Sequence, residues 1–79
     1  MRCEKGTVVK ATAGKECGKL FVITEISQKF AFIADGRKRK LLSPKRKNLK
    51  HLIFTDNIIK LNDITDKKLR IVLDKLSTP

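Results

Sequence analysis

The segment Ala13-Gly14-Lys15-Glu16-Cys17-Gly18-Lys19 joins two runs of apolar and β-branched residues in the first third of the chain. Its two glycines lie four residues apart, and each is followed at once by a lysine. Glycine adopts a positive φ and has no Cβ, so another backbone or a phosphate can approach it closely. The segment therefore predicts a strand-to-strand corner that combines a permissive backbone with positive charge.

The residues on either side of this corner predict two β-strands. Residues 5–12 contain Val8 and Val9 together with β-branched threonines, which favours a pleated surface. Residues 20–26 form a nearly continuous apolar run that is interrupted only by its fifth and sixth residues. Such a run is typical of a strand that is buried on most of both faces, as in a small barrel.

Three further strands are predicted beyond the second. Residues 30–34 alternate between two faces, with both phenylalanines on one of them. Asp35-Gly36 predicts a type I′ hairpin turn, which needs a positive φ at both central residues. A return strand over 37–42 ends before Pro44, because proline cannot donate to a ladder, and a fifth strand is predicted over 49–55.

The C-terminal part of the chain changes to a helical period. Thr65 is a good N-cap, and the apolar residues after it recur on one helical face: Leu69, Val72, Leu73 and Leu76. A helix from about Asp66 to Leu76 is predicted, and it should pack on the strands because eleven residues alone would be marginal. The 79 residues are expected to form one domain, a small antiparallel barrel or sandwich over 5–55 with a C-terminal helical segment over 64–77.

The charge of the chain is strongly positive. The formal net charge is +11, from 19 lysines and arginines against 8 acidic residues, and such an excess indicates a polyanionic partner. Residues 37–55 contain no acidic residue, whereas ordinary surfaces interleave both signs. This segment is therefore predicted to bind a polyanion through Arg37, Lys38, Arg39 and Lys40 on the return strand, Lys45, Arg46 and Lys47 in an exposed loop, and Lys50 and His51 beyond it.

The nature of the polyanion follows by elimination. Binding to a membrane surface needs a basic amphipathic helix or a lipid anchor, and the basic residues here lie on predicted strands and a loop. Reading of duplex DNA normally places a helix in the major groove, and no such motif is present. Stacking of single strands needs exposed aromatic residues, but all four phenylalanines (Phe21, Phe30, Phe32 and Phe54) are predicted to lie in the core. Phosphate contacts and shape remain, which is how folded RNA is often held.

No catalytic, metal or membrane-spanning pattern emerges from the sequence. Two cysteines are too few for a disulfide framework, and with His51 alone they are too few ligands for zinc, so reduced, partly buried thiols are predicted at Cys3 and Cys17. The glycine spacing of the corner differs from a Walker loop, and no triad or carboxylate pair is present. No metal, cofactor, small-molecule substrate or enzymatic activity is expected. Without a signal peptide or an apolar run of membrane length, the expected location is cytoplasmic.

With these residues in view, the chain resembles the small bacterial KOW-domain RNA-binding proteins, which are similar to a KOW-containing ribosomal protein family of the archaeal and eukaryotic large subunit. The resemblance covers roughly residues 5–55. Many KOW motifs carry another glycine where this chain has Leu20-Phe21. The resemblance rests on Gly6-Thr7-Val8-Val9, on the corner at 13–19 and on Val22-Ile23, with support from residues 32–36 and 44–52.

The resemblance implies an SH3-like β-barrel whose loops lie against ribosomal or other structured RNA. Gly14, Lys15, Gly18 and Lys19 would then form one RNA-contacting edge, and the basic residues of 37–40 and 45–51 a second. The expected protein is a monomeric, ribosome-associated RNA-binding domain. Two alternatives stay open: a protein-interaction module, because SH3-like barrels also hold peptides, and a nonspecific nucleic-acid binder.

Overall fold

The computed structural model describes residues 4–77, which form one five-stranded antiparallel sheet and a C-terminal helix. The order of strands in the sheet is β4-β3-β2-β1-β5. The predicted class, mainly β with five antiparallel strands and a C-terminal helix, is confirmed. The elements are β1 (Thr7–Ala11), β2 (Leu20–Ile26), β3 (Phe30–Ala34), β4 (Lys45–Asn48), a 3-10 turn (Leu49–His51), β5 (Leu52–Ile58) and α1 (Asp66–Ser77).

Apolar side chains pack on both faces of the sheet. Because side chains alternate along a strand, β2 contributes to both clusters, as its apolar run predicted. The inner cluster consists of Val9, Ala11, Phe21, Ile23, Ala31, Ile33 and Leu52. The outer cluster consists of Val8, Val22 and Ala34, covered by Leu69 and Leu73 of α1. The helix is therefore packed against the strands, as predicted.

The sheet is not closed into a barrel. Strands β4 and β5 are its two edges, and within residues 4–77 no ladder of backbone hydrogen bonds joins them. The 3-10 turn Leu49–His51 connects the two edges directly, so the sheet must curve to bring them together. Asn48 caps this turn by accepting a hydrogen bond from the Lys50 N–H at 2.9 Å, which explains why β5 begins later than the predicted residue 49.

The predicted hairpin at Asp35-Gly36 and its return strand over 37–42 are wrong. The Asp35 carboxylate accepts hydrogen bonds from the backbone N–H groups of Arg37 at 2.9 Å and Arg39 at 3.1 Å, and the Asp35 N–H donates to the Arg39 carbonyl at 2.9 Å, so the chain forms a local turn over 35–39 in place of the hairpin. Asp63 is the one non-glycine among the described residues with a positive φ, so Asp35 does not meet the type I′ requirement. The strand that pairs with β3 is instead β4, which begins just after Pro44.

The C-terminal helix begins at the predicted position. The Thr65 hydroxyl accepts a hydrogen bond from the Lys68 N–H at 3.2 Å, and the Thr65 carbonyl accepts one from the Leu69 N–H at 2.9 Å. Helix α1 extends one residue beyond the predicted end, to Ser77. Within the described part of the chain, no helix has the length and apolarity needed to cross a membrane.

Candidate nucleic-acid interface

The glycine-lysine corner forms a compact turn between β1 and β2. Gly14 and Gly18 have φ values of +78° and +85°, in agreement with the predicted permissive backbone. The Gly18 N–H donates to the Ala11 carbonyl at 2.8 Å, which anchors the turn to the end of β1. Lys15 and Lys19 are exposed, so the corner presents two cations to solvent.

An open groove of about 530 Å³ lies beside the corner. Its walls come from the corner, from the loop after β3, from the first residue of β4 and from α1 between Arg70 and Ser77. The structure thus brings together two groups of basic residues that the sequence placed on separate edges. The charged residues that line the groove are Lys15, Glu16, Lys19, Asp35, Arg37, Lys38, Arg39, Lys45, Arg70 and Asp74.

The groove carries seven cationic and three acidic side chains, and each acid has partners of its own. Glu16 pairs with Lys45, Asp74 pairs with Arg37 at 2.7 Å, and Asp35 accepts the two backbone hydrogen bonds of its loop. Over residues 4–77, no ion pair engages the following groove cations: Lys15, Lys19, Lys38 and Arg39. The groove therefore has an excess of positive charge that is free to meet an anion.

The prediction that residues 45–47 form an exposed basic loop is wrong. They belong to β4, where alternation turns Lys45 and Lys47 toward the corner and Arg46 away from it. The Lys45 ammonium pairs with Glu16. The Lys47 side chain is only 9% exposed and donates to the Ala13 carbonyl at 2.9 Å, with Glu16 at 3.9 Å. We call this cluster of Ala13, Glu16, Lys45 and Lys47 the Glu16 clasp, because it fastens the corner to the edge strand β4.

The Glu16 carboxylate is held in its ionised form. The hydrogen bond from Lys45 keeps the pKa of Glu16 below its ordinary value of 4.5, although burial acts in the opposite direction. The nearby charge of Lys47 adds to the lowering. A carboxylate with a lowered folded-state pKa contributes stability that is fully present above its unfolded-state pKa and is lost as the pH falls through the lowered value.

Glu16→Gln is therefore expected to make the free energy of unfolding depend less on pH in the acidic range. The wild-type free energy of unfolding, measured by urea denaturation, should decline as the pH falls below about 4.5, and that of the variant should decline less. Glu25→Gln is the matched control, because Glu25 forms a 3.0 Å pair with Lys5 that is more than half exposed and so contributes little. An equal decline of the free energy of unfolding with falling pH in wild type and Glu16→Gln would contradict this role of the clasp.

The remaining predicted site residues lie away from the groove. Arg46 points to the opposite side of β4, with its guanidinium 4.7 Å from the centre of the Phe30 ring. Lys50 and His51 are exposed in the 3-10 turn. The Lys40 ammonium lies 3.4 Å from the Gly36 carbonyl and helps to hold the loop after β3. The structure therefore divides the basic segment into groove residues, clasp residues and a separate group around Arg46.

Two features of the site escaped the sequence prediction. Arg70 on α1 lines the groove and donates to the Gly36 carbonyl at 3.2 Å, and it was not among the predicted site residues. No local pattern in the sequence marks Arg70, because its place in the groove depends on the packing of α1 against the loop after β3. The phenylalanines were not all core residues: Phe21 is buried, Phe30 and Phe54 are half-buried, and Phe32 is 38% exposed.

The cysteines and acidic residues offer no metal site in the part of the chain that the structure describes. No group of three or more histidine, cysteine, aspartate or glutamate side chains lies close enough together there to hold an ion. Cys17 is exposed, so the predicted partly buried thiol is wrong at this position, and Cys3 lies outside the described residues.

The groove is thus a cationic surface assembled from the corner, the loop after β3, β4 and α1, and it is supported by the Glu16 clasp. Its residues can hold anionic groups by charge and by hydrogen bonds from lysine and arginine. Comparisons with protein-family models and with curated proteins found no match to this chain.

Proposed function

We propose that this protein is a cytoplasmic, non-catalytic RNA-binding protein that acts as a monomer on ribosomal RNA or ribosomal particles. The observation that carries the proposal is the convergence of the corner lysines and the loop after β3 on one groove whose acids are already paired. Lysines and arginines that meet phosphates supply most of the affinity of nucleic-acid binding. A ligand with several phosphates suits this groove better than a small anion, because seven cationic side chains from separate parts of the fold line it.

Structured RNA fits this groove better than duplex DNA does. Proteins that read duplex DNA commonly insert a helix into the major groove. Helix α1 is unsuited to that role, because Leu69 and Leu73 fix it against the sheet and its residues from Arg70 onward form a wall of the groove. Phosphate contacts and shape complementarity remain, as in the recognition of folded RNA. The association with ribosomal RNA is supported by the resemblance of the corner to KOW motifs.

The dissociation constant for purified ribosomal RNA, measured over a range of salt concentrations, tests this function. If about five phosphates are neutralised, log K should fall with log salt at a slope of roughly −3.5 to −4.5. Replacing Lys15, Lys19 and Lys38 with alanine should reduce the magnitude of the slope by roughly 2 to 3, because three phosphate contacts are lost. The matched control replaces Lys60, Lys67 and Lys68, which are exposed and lie outside the groove.

The control variant separates a defined site from a general effect of charge. Both triple substitutions remove three positive charges, so equal losses of affinity would contradict the groove as the binding site. Affinity that hardly changes with salt would contradict RNA binding through phosphates. Equal competition by duplex DNA would indicate a nonspecific nucleic-acid binder. Recovery of a single protein partner from cells after nuclease treatment would favour the protein-interaction module instead.

A further inference from the structure

The outer face of β3 and β4 carries an aromatic and cationic cluster next to the helix. Phe32 and Phe30 lie two residues apart on this face of β3, and Arg46 lies directly opposite Phe32 in the register of β4. The Arg46 guanidinium stacks over Phe30 at 4.7 Å from the ring centre. Phe32 itself is 38% exposed. We call Phe30, Phe32 and Arg46 the Phe32 platform.

Helix α1 covers only part of this outer face. Its leucines pack over Val8, Val22 and Ala34, which places Ala34 under the helix and leaves Phe32, two residues earlier on β3, beyond it. On the other side of Phe32, the paired residue on β2 is Glu25. Glu25 forms a 3.0 Å ion pair with Lys5, so the acid next to the platform is already compensated.

Further positive charge lies at the end of the platform nearest Phe30. The Leu49 N–H donates to the Lys29 carbonyl at 2.9 Å, which brings the turn before β3 against the 3-10 turn. Lys29 and Lys50, one from each turn, are both exposed. An aromatic ring flanked by cations is the arrangement that proteins use for single-stranded nucleic acid, because the ring stacks on a base and the cations meet its phosphates.

We propose that the Phe32 platform stacks an unpaired base, and that the RNA ligand therefore carries an unpaired segment beside its folded part. The inference rests on the proposed function and specifies its ligand. Phe32 lies three residues before Asp35, where the groove begins, which is roughly 10 Å along a strand. One RNA can therefore place phosphates in the groove and an adjacent base on the platform.

A hairpin RNA with 2-aminopurine in its unpaired loop provides the test, with a fully paired RNA duplex as the second probe. The chain has no tryptophan or tyrosine, so the fluorescence reports on the probe alone. Wild-type protein should quench the probe, because stacking lowers 2-aminopurine emission. Phe32→Leu keeps an apolar side chain without a ring, and it should abolish the quench and weaken hairpin binding about tenfold. Binding to the duplex should stay unchanged.

Phe32→Trp is the rescue variant, because a tryptophan restores a stacking ring at the same position. It should recover the affinity for the hairpin, measured by electrophoretic mobility so that its own fluorescence does not interfere. Quenching and affinity that are the same in wild type and Phe32→Leu would overturn the platform while leaving the salt-dependent binding of RNA intact. Failure of the wild-type protein to bind the hairpin, the duplex or ribosomal RNA would overturn the proposed function itself.

Discussion

Gly36→Ala is expected to lower the free energy of unfolding by more than the roughly 1–2 kcal/mol that a positive φ alone costs a residue with a Cβ. Gly36 has a φ of +78° and lies against the first turn of α1. An added Cβ would collide with the Asp66 carbonyl oxygen and lie 3.1 Å from the Arg70 Cγ. Because the first of these neighbours is backbone, the loop or the helix must move to accommodate the methyl group.

Gly18→Ala is the matched control for this substitution. Gly18 has a similar φ of +85°, but apart from Gly18 and its two chain neighbours no heavy atom of the described residues lies within 4 Å of the position that its Cβ would take. Its cost should therefore be the conformational part alone, about 1–2 kcal/mol. Urea denaturation followed by circular dichroism measures both variants. Equal losses of stability would show that the contact between Gly36 and α1 does not constrain the fold.

Gly36→Ala should also change the geometry of the groove. The loop after β3 is fixed to α1 by the hydrogen bond from Arg70 to the Gly36 carbonyl, and by one from the Leu41 N–H to the Asp66 carboxylate at 2.8 Å. Moving this loop displaces Arg37 and its neighbours from the position that they share with the corner lysines. At a temperature where Gly36→Ala is still folded, its affinity for RNA should therefore be weaker than that of the wild-type protein.

The first three strands and the helix could be predicted because their signals are local. Short, nearly continuous apolar runs define β2 and β3, and such runs indicate burial on two faces. The N-cap Thr65 and the recurrence of leucines define α1. In each case residues that are close in the sequence already favour the strand or the helix, and tertiary packing stabilises it further.

Strand β4 could not be predicted, because its sequence Lys-Arg-Lys-Asn has no apolar residue to reveal a period. It forms because β3 offers an edge for pairing and because the Glu16 clasp satisfies the two inward-facing ammonium groups. Long lysine stems can lie along apolar surface while their charged ends find partners. The Asp35-Gly36 pair predicted a hairpin that does not form, since an aspartate can also stabilise a different local turn by accepting backbone hydrogen bonds.

The candidate site was predictable in composition but not in arrangement. An acid-free run of basic residues predicts a polyanion-binding segment, but a run does not say which side chains share a face. Once 45–48 is known to be a strand, alternation assigns Lys45 and Lys47 to the clasp and Arg46 to the opposite face. The meeting of the corner, the loop after β3 and Arg70 depends on long-range packing, which no local pattern encodes.

Leu69→Ala should be the most destabilising single substitution in the helix, lowering the free energy of unfolding by about 2–5 kcal/mol. Leu69 is fully buried in the outer cluster between α1 and the sheet. Ile71→Ala is the matched control, because Ile71 lies on the same helix but is 46% exposed. Alanine favours helices, so any difference between the two variants reports lost packing and not lost helix propensity. Equal urea midpoints would contradict the burial of Leu69.

Hydrogen exchange on Leu69→Ala would also show whether the helix and the sheet unfold as one unit. Leu69 and Val22 share the outer cluster, and Val22 is buried between Val8 and Ala34 in the ladder of β2. Loss of the leucine should therefore accelerate exchange of the slowest amides in β2 as strongly as those in α1. Faster exchange in α1 alone would contradict this, and it would mean that the helical wall of the groove can open while the sheet stays folded.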